Sequence, residues 1–223
     1  MLFSRHTEFA VPGLCAFLLV VGLYASWVEG RAFFVTPTSD ADRFSALVER
    51  HGVAGLSVFS TRYLLQDCDA ALTGAYGRLQ PEERRSAAAT ACRDIAAEAV
   101  ERTPMDGLAH TTGARASAVL GDMRAAVTSL LRSAGATPHE MWQAQRRLLV
   151  MREWALDEEP ALAEQFRRDM AVVAATREGR HWLARWYVGA PERRDLIASV
   201  VDGQGEFAKR DFLNAVRAAS AAQ

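Results

Sequence analysis

The chain begins with an unbroken apolar run. From Phe9 to Val28, FAVPGLCAFLLVVGLYASWV, no residue is charged, and Glu8 and Glu29 close the run on either side. As a helix this stretch is about 30 Å long, the thickness of a bilayer core. It predicts a single transmembrane anchor over residues 9–28, preceded by a short N-terminus (1–8) and followed by a linker (29–38) in which Pro37 stops any helix. Beyond residue 39 the pattern changes to short amphipathic segments separated by Gly and Pro. Ser39 and Asp40 are good N-caps for a helix to about His51, ended by Gly52. Residues 53–59 carry no clear period. From Ser60 to Gly74 apolar residues recur at Tyr63, Leu64, Ala71 and Leu72, and Gly74 to Gln80 reads as a turn.

Pro81-Glu82-Glu83 opens the next helix, with proline at its first position and acids facing the dipole. It runs to about Arg102 with Ala88, Cys92, Ile95, Ala96 and Ala99 on one side, and Pro104 punctuates it. Further helices are expected at about 105–120, 123–134, 139–156, 161–177, 180–188, 192–202 and 207–219, with breaks at Gly121-Asp122, Gly135 to Pro138, Asp157 to Pro160, Gly179, Gly189 to Pro191 and Asp202 to Gly205. The fold class is therefore all-α: one N-terminal transmembrane helix, then a stack of antiparallel helical hairpins over 39–223.

Composition adds a setting. Basic residues are almost all arginine, with Lys209 the single lysine, and alanine is abundant, as in a high-GC bacterium. Arg5 and the terminal amine precede the apolar run, so the positive-inside rule leaves the short N-terminus in the cytoplasm and the helical domain in the periplasm, held at the inner membrane. The run exceeds the apolar stretch of a signal peptide, and Leu23-Tyr24-Ala25 is a poor exit site, so the anchor is expected to stay uncleaved. Leu14 before Cys15 makes a poor lipid-attachment signal. The net charge of −1 argues against electrostatic binding to nucleic acid.

Pro104 and Pro138 are 34 residues apart and enclose two helices joined at Gly121-Asp122. With Ala114 and Ala126 as small packing positions, and Cys92 and Ala99 lying 34 residues before Ala126 and Ser133, this stretch resembles the tetratricopeptide repeat (TPR). The resemblance covers residues 62–138. It departs from the family at His110, Gly113 and Ser117, where large residues are usual, and its register weakens after Pro138. It implies a TPR-like α-solenoid or an irregular helical array that binds partner proteins, with further helices over 139–223 and no enzymatic residues.

Cys68 and Cys92 lie on either side of the turn near residue 80, which is their midpoint. An antiparallel hairpin brings them to one height, and in an oxidising compartment a disulfide between them is expected. Asp67 and Asp69 flank Cys68 and disfavour a reactive thiolate there. His6, His51, His110, His139 and His181 show no metal-ligand spacing, so no metal and no cofactor is expected. His110 is expected in the hairpin core and His139 at an exposed helix start.

The carboxylates Glu82, Glu83, Glu98, Glu101, Glu140, Glu153, Asp157, Glu158 and Glu159 are read as helix-start acids or partners of arginine, as in Glu98 with Arg102, rather than as a catalytic pair. No serine or threonine sits in a nucleophile elbow, and no glycine-rich loop follows a strand. No catalytic residue is therefore assigned. The C-terminal half carries an aromatic band, Trp142, Trp154, Phe166, Trp182, Trp186 and Tyr187, interleaved with arginines. One reading packs the tryptophans inside with arginines lying over them. The other makes Arg146, Arg147, Trp182, Arg185 and Trp186 a contact surface for a protein or a sugar.

The expectation is a membrane-anchored periplasmic adaptor or scaffold that binds protein partners of the cell envelope, in a setting such as polysaccharide synthesis and export, with a glycan as a second class of ligand. The alternatives are a glycan-active enzyme with a carboxylate pair, a cytochrome maturation factor, and the reverse topology, a cytosolic domain whose first helix is only a membrane tether and whose Cys68 and Cys92 stay reduced.

Overall fold

The computed structural model describes residues 4–34, 39–49 and 57–221. Among them every regular element is helical and no strand occurs. The chain forms two compact units, Met1–Ile95 and Ala96–Gln223.

In the first unit α1 (Ser4–Phe34) contains the apolar run, and its Pro12–Gly30 segment is long and apolar enough to cross a membrane. The helix does not stop at Glu29. It continues through residue 34, so the first part of the expected linker is helical and only residues 35–38 fall outside the described ones. The side chains from Leu14 to Leu19, and Leu23, Tyr24 and Trp27, are all exposed, while Ala25, Val28, Glu29 and Gly30 are partly covered. That one-sided cover marks where α1 meets the next elements.

Helix α2 (Asp40–Val48) starts as its sequence requires: the Ser39 side chain accepts the Asp42 N–H at 3.1 Å. Its expected end at His51 and Gly52 lies outside the described residues. Helix α3 (Val58–Thr73) is capped by Ser57, whose hydroxyl accepts the N–H groups of Phe59 and Ser60. The stretch read as a turn between Gly74 and Gln80 contains one short helix, α4 (Ala75–Arg78). Helix α5 (Glu82–Arg102) follows Pro81.

Cys68 and Cys92 form a disulfide between α3 and α5, with 5.5 Å between their Cα atoms and no exposed surface on either residue. They sit in a core with Phe44, Leu47, Leu64, Leu65, Leu72, Ala88 and Ala89. Arg43 on α2 donates from Nε to the Asp67 carboxylate at 2.9 Å and ties α2 to α3.

The second unit holds α6 (Gly107–Val119), α7 (Met123–Ala136), α8 (Met141–Glu153), α9 (Pro160–Ala174), α10 (Arg177–Gly189), α11 (Arg194–Asp202) and α12 (Glu206–Ala221). Helices α6 and α7 pack along each other across Gly121-Asp122. Gly121 has φ +80°, a left-handed turn residue, and Asp122 then caps α7 by accepting the Ala125 N–H at 3.0 Å. Close packing also joins α8 to α9 and α10 to α12, with α6 on α8 and α7 on α9.

The unusual composition of α6 has a physical reason. Nearly its whole circumference is buried, including His110, Thr111, Thr112 and Ser117. Large side chains would hold its neighbours apart. Two of its polar groups find local partners: Thr111 donates to the Gly107 carbonyl at 2.9 Å, and His110 Nε2 bonds the Pro104 carbonyl at 2.9 Å, whereas the buried Thr112 hydroxyl has none among the described residues. The apolar core of this unit is built from Leu130, Leu148, Met151, Leu162, Phe166, Met170, Val173, Leu183, Ile197 and Phe212.

Candidate functional site

The five residues singled out as a contact surface do not lie together on the outside. Arg147 is fully buried and Trp186 is 5 % exposed. Trp182 and Arg146 are half-buried, and Arg185 alone is exposed. Trp186 stacks edge-on against both Phe166 and Trp182, with ring centroids 6.0 and 5.3 Å away. The guanidinium of Arg152 lies over its ring at 5.2 Å, and that of Arg146 over Trp142 at 5.8 Å. The aromatic band is thus largely internal, with arginines laid over it. Arg147 and Trp186 are corrected from surface to core. Helical spacing placed Trp182 and Trp186 on one face but did not say whether that face met solvent or α9.

Arg147 is buried for a reason its own sequence neighbourhood does not show. Helix α7 ends before Pro138, so the last carbonyls of that helix need donors from elsewhere. Arg147, on α8, supplies them: Nη1 approaches the carbonyls of Ser133 and Thr137 at 3.4 Å and the Thr137 hydroxyl at 3.2 Å. Its other edge meets Asp169 on α9, Nε to Oδ2 at 2.8 Å and Nη2 to Oδ1 at 2.6 Å. Gln165 adds a third donor to Asp169 at 3.0 Å. Burial pushes the Asp169 carboxyl above its ordinary 3.8, against the opposing pull of Arg147 and Gln165.

The same device recurs. Arg180 is 5 % exposed, donates to the last carbonyls of α9 at Ala174 and Ala175 (3.0 and 3.2 Å), and pairs with Asp211 at 2.7 Å. Arg194 donates to the Tyr187 carbonyl near the end of α10 at 3.0 Å. An arginine-rich chain here uses guanidinium groups as helix C-terminal clasps, a planar fork that reaches two acceptors at once.

An open groove of about 590 Å³ lies between α7 and α9, the two helices that Arg147 ties together. Leu131, Ala134, Pro138, Ala171 and Val172 supply apolar surface, and His139, Gln165 and Arg168 supply polar groups. Gln165 belongs both to the groove and to the buried pair, so this wall is held by a fixed network. Arg168 is exposed and pairs with Glu164 one turn away at 3.1 Å. Neither groove wall was legible in the sequence. In the folded chain Leu131 is an exposed leucine on α7 (40 %), which sequence period alone did not single out.

The remaining candidates take bland places. Glu82, Glu83, Glu101, Glu140, Glu158 and Glu159 are exposed. Glu98 pairs with Arg102, Glu153 with Arg115 at 3.0 Å, and buried Asp157 with Arg193. His139 and His181 are exposed. Among the described residues no three His, Cys, Asp or Glu side chains form a set able to hold a metal ion. Set against protein-family models, curated proteins and solved structures, the chain matches none of them.

Proposed function

We propose that this chain is a membrane-anchored helical adaptor of the bacterial envelope. Helix α1 crosses the inner membrane, the helical region lies in the periplasm, and the groove between α7 and α9 holds an apolar segment of a partner protein. The pairs α6–α7, α8–α9 and α10–α12 are successive hairpins of one irregular, TPR-like array.

The observation that carries this reading is the groove itself. Its apolar wall stands on the buried Arg147–Asp169–Gln165 network, so it is shaped in advance and loses little freedom on binding. A groove of this kind suits a helix or extended segment with apolar anchors. The buried carboxylates of Asp157 and Asp169 are each held by an arginine, which supports a binding role over acid–base work on a glycan. Tethering to the membrane raises the local concentration of the groove for partners in the same bilayer.

The test is photocrosslinking in intact cells, with the reactive residue at Val172 and, as a control, at exposed Arg210. The expected result is one defined protein adduct from position 172 that disappears with Leu131→Glu, while the variant keeps its helical circular dichroism. Identical adducts from both positions, or none from 172, overturn the groove assignment. A reporter fused after residue 223 that is active only in the cytoplasm overturns the compartment.

A further inference from the structure

The first unit carries a second apolar feature, at the start of α3. Phe59 is 74 % exposed and Val58 58 % exposed, although both open a helix whose opposite face is well buried. Beside them lies α1. Glu29, on α1, accepts the backbone N–H of Ser57 at 3.0 Å and the Ser60 hydroxyl at 3.4 Å, and it also accepts the Ser57 hydroxyl. The carboxylate therefore seats the first turn of α3, where free N–H groups and the positive end of the helix dipole favour an anion.

Glu29 is also the charge that ends the apolar run. The Pro12–Gly30 segment spans about 28 Å at 1.5 Å per residue, close to a hydrocarbon core of about 30 Å. With α1 in a bilayer, Glu29 sits at the rim, and the clasp to Ser57 holds Val58 and Phe59 at that same depth. Tyr24 and Trp27 lie within the last turns of the span and are 67 % and 69 % exposed, on a different side of α1 from the Ala25, Val28 and Glu29 face that is partly covered. Trp27 lies two residues before Glu29 and Phe59 two residues after Ser57, so the clasp has an exposed aromatic side chain close by on each helix, the kind of residue that gathers at a membrane interface.

We propose that the start of α3 is a second membrane contact, with Val58 and Phe59 inserted into the interface of the bilayer that α1 spans. The occupant of this patch is lipid. The Glu29–Ser57 clasp makes the two contacts one unit and fixes the first helical unit against the membrane surface. This inference rests on the anchor reading of α1.

The test uses the full chain with Cys15→Ser in phosphatidylcholine–phosphatidylglycerol vesicles. The Cys68–Cys92 bridge leaves a single new thiol to label. An environment-sensitive fluorophore is placed through Phe59→Cys or, separately, Leu19→Cys. Quenching by nitroxide lipids, with the label shallow for position 59 and near the acyl-chain end for position 19, is compared with quenching by aqueous iodide. The expected result at position 59 is at least a two-fold loss of intensity to the shallow nitroxide and much weaker iodide quenching than the free dye shows. Adding Glu29→Gln with Ser57→Ala should weaken the lipid quenching at 59 and leave it unchanged at 19. A probe at 59 quenched by iodide as fully as the free dye, or shielded from both quenchers as under a protein cover, overturns the proposal while quenching at 19 keeps the anchor. Loss of lipid quenching at 19 overturns the anchor and this contact with it.

Discussion

Arg147 and Asp169 meet edge to edge through two hydrogen bonds of 2.8 and 2.6 Å, with no solvent on either side chain. The pair joins α8 to α9, and the rest of the same guanidinium closes the end of α7, so three helices converge on one side chain. Removing one partner strands the other. Arg147→Met is expected to cost about 3–5 kcal/mol because it leaves a buried carboxylate and bare helix-end carbonyls. The double change Arg147→Met with Asp169→Leu should cost less than the single one, since no charge is left behind. Denaturant unfolding of both variants in detergent measures this, and a double variant weaker than the single would refute the account.

The Cys68–Cys92 bridge closes a loop of 24 residues inside the core of the first unit. Cys92→Ser should lower stability by about 3 kcal/mol, in the chain-entropy account. It should also remove the mobility difference between reduced and non-reduced protein on a gel. A wild-type chain that migrates identically with and without reductant would show that the bridge does not form in the cell.

Trp186 and Trp182 share a helix face but differ in cover. Trp186→Ala should cost about 3–5 kcal/mol as a buried aromatic truncation, and Trp182→Ala clearly less. Trp186→Phe should recover most of the loss, because the indole nitrogen of Trp186 has no hydrogen-bond partner among the described residues. Thermal unfolding of the three variants checks the order.

Two glycines should respond in opposite ways. A Cβ on Gly179 would lie 1.9 Å from the Val173 carbonyl oxygen, so the start of α10 is pressed against the end of α9. Gly179→Ala is expected to cost about 1–3 kcal/mol through overpacking. Gly121 has open space around it and needs only its left-handed backbone, which asparagine tolerates. Gly121→Asn should therefore be the milder change in the same unfolding assay.

Stability should also carry a pH signature from the first unit. Burial raises the Asp67 carboxyl above its ordinary 3.8, partly offset by Arg43. The unfolded chain releases this proton near 3.8, while the folded chain holds it to higher pH. Over that interval the folded state binds more protons, so raising the pH costs stability. Asp67→Asn should flatten this fall while keeping an acceptor for Arg43. Unfolding free energies measured from pH 3.5 upward should separate the two proteins, and parallel curves would remove the effect.

The helical class, most helix boundaries and the apolar span were open to reading from local signals alone. Ser39, Asp122 and Pro160 act at helix starts through neighbours only a few residues away, and Gly121 acts through its own backbone. The meeting of Cys68 and Cys92 was legible for a related reason: a short turn and a shared helical rise set their heights. Tertiary packing decided what local pattern leaves open. Helical period says which residues share a face, but not what that face meets. Trp186 therefore went to the core, α6 became a buried helix of small polar residues, and α1 ran on past Glu29. Arginine chemistry was the least readable part, because a long side chain chooses its partners by distance in space. Arg147 and Arg180 each found helix-end carbonyls and a carboxylate on another helix, and only the assembled fold brings those acceptors within reach.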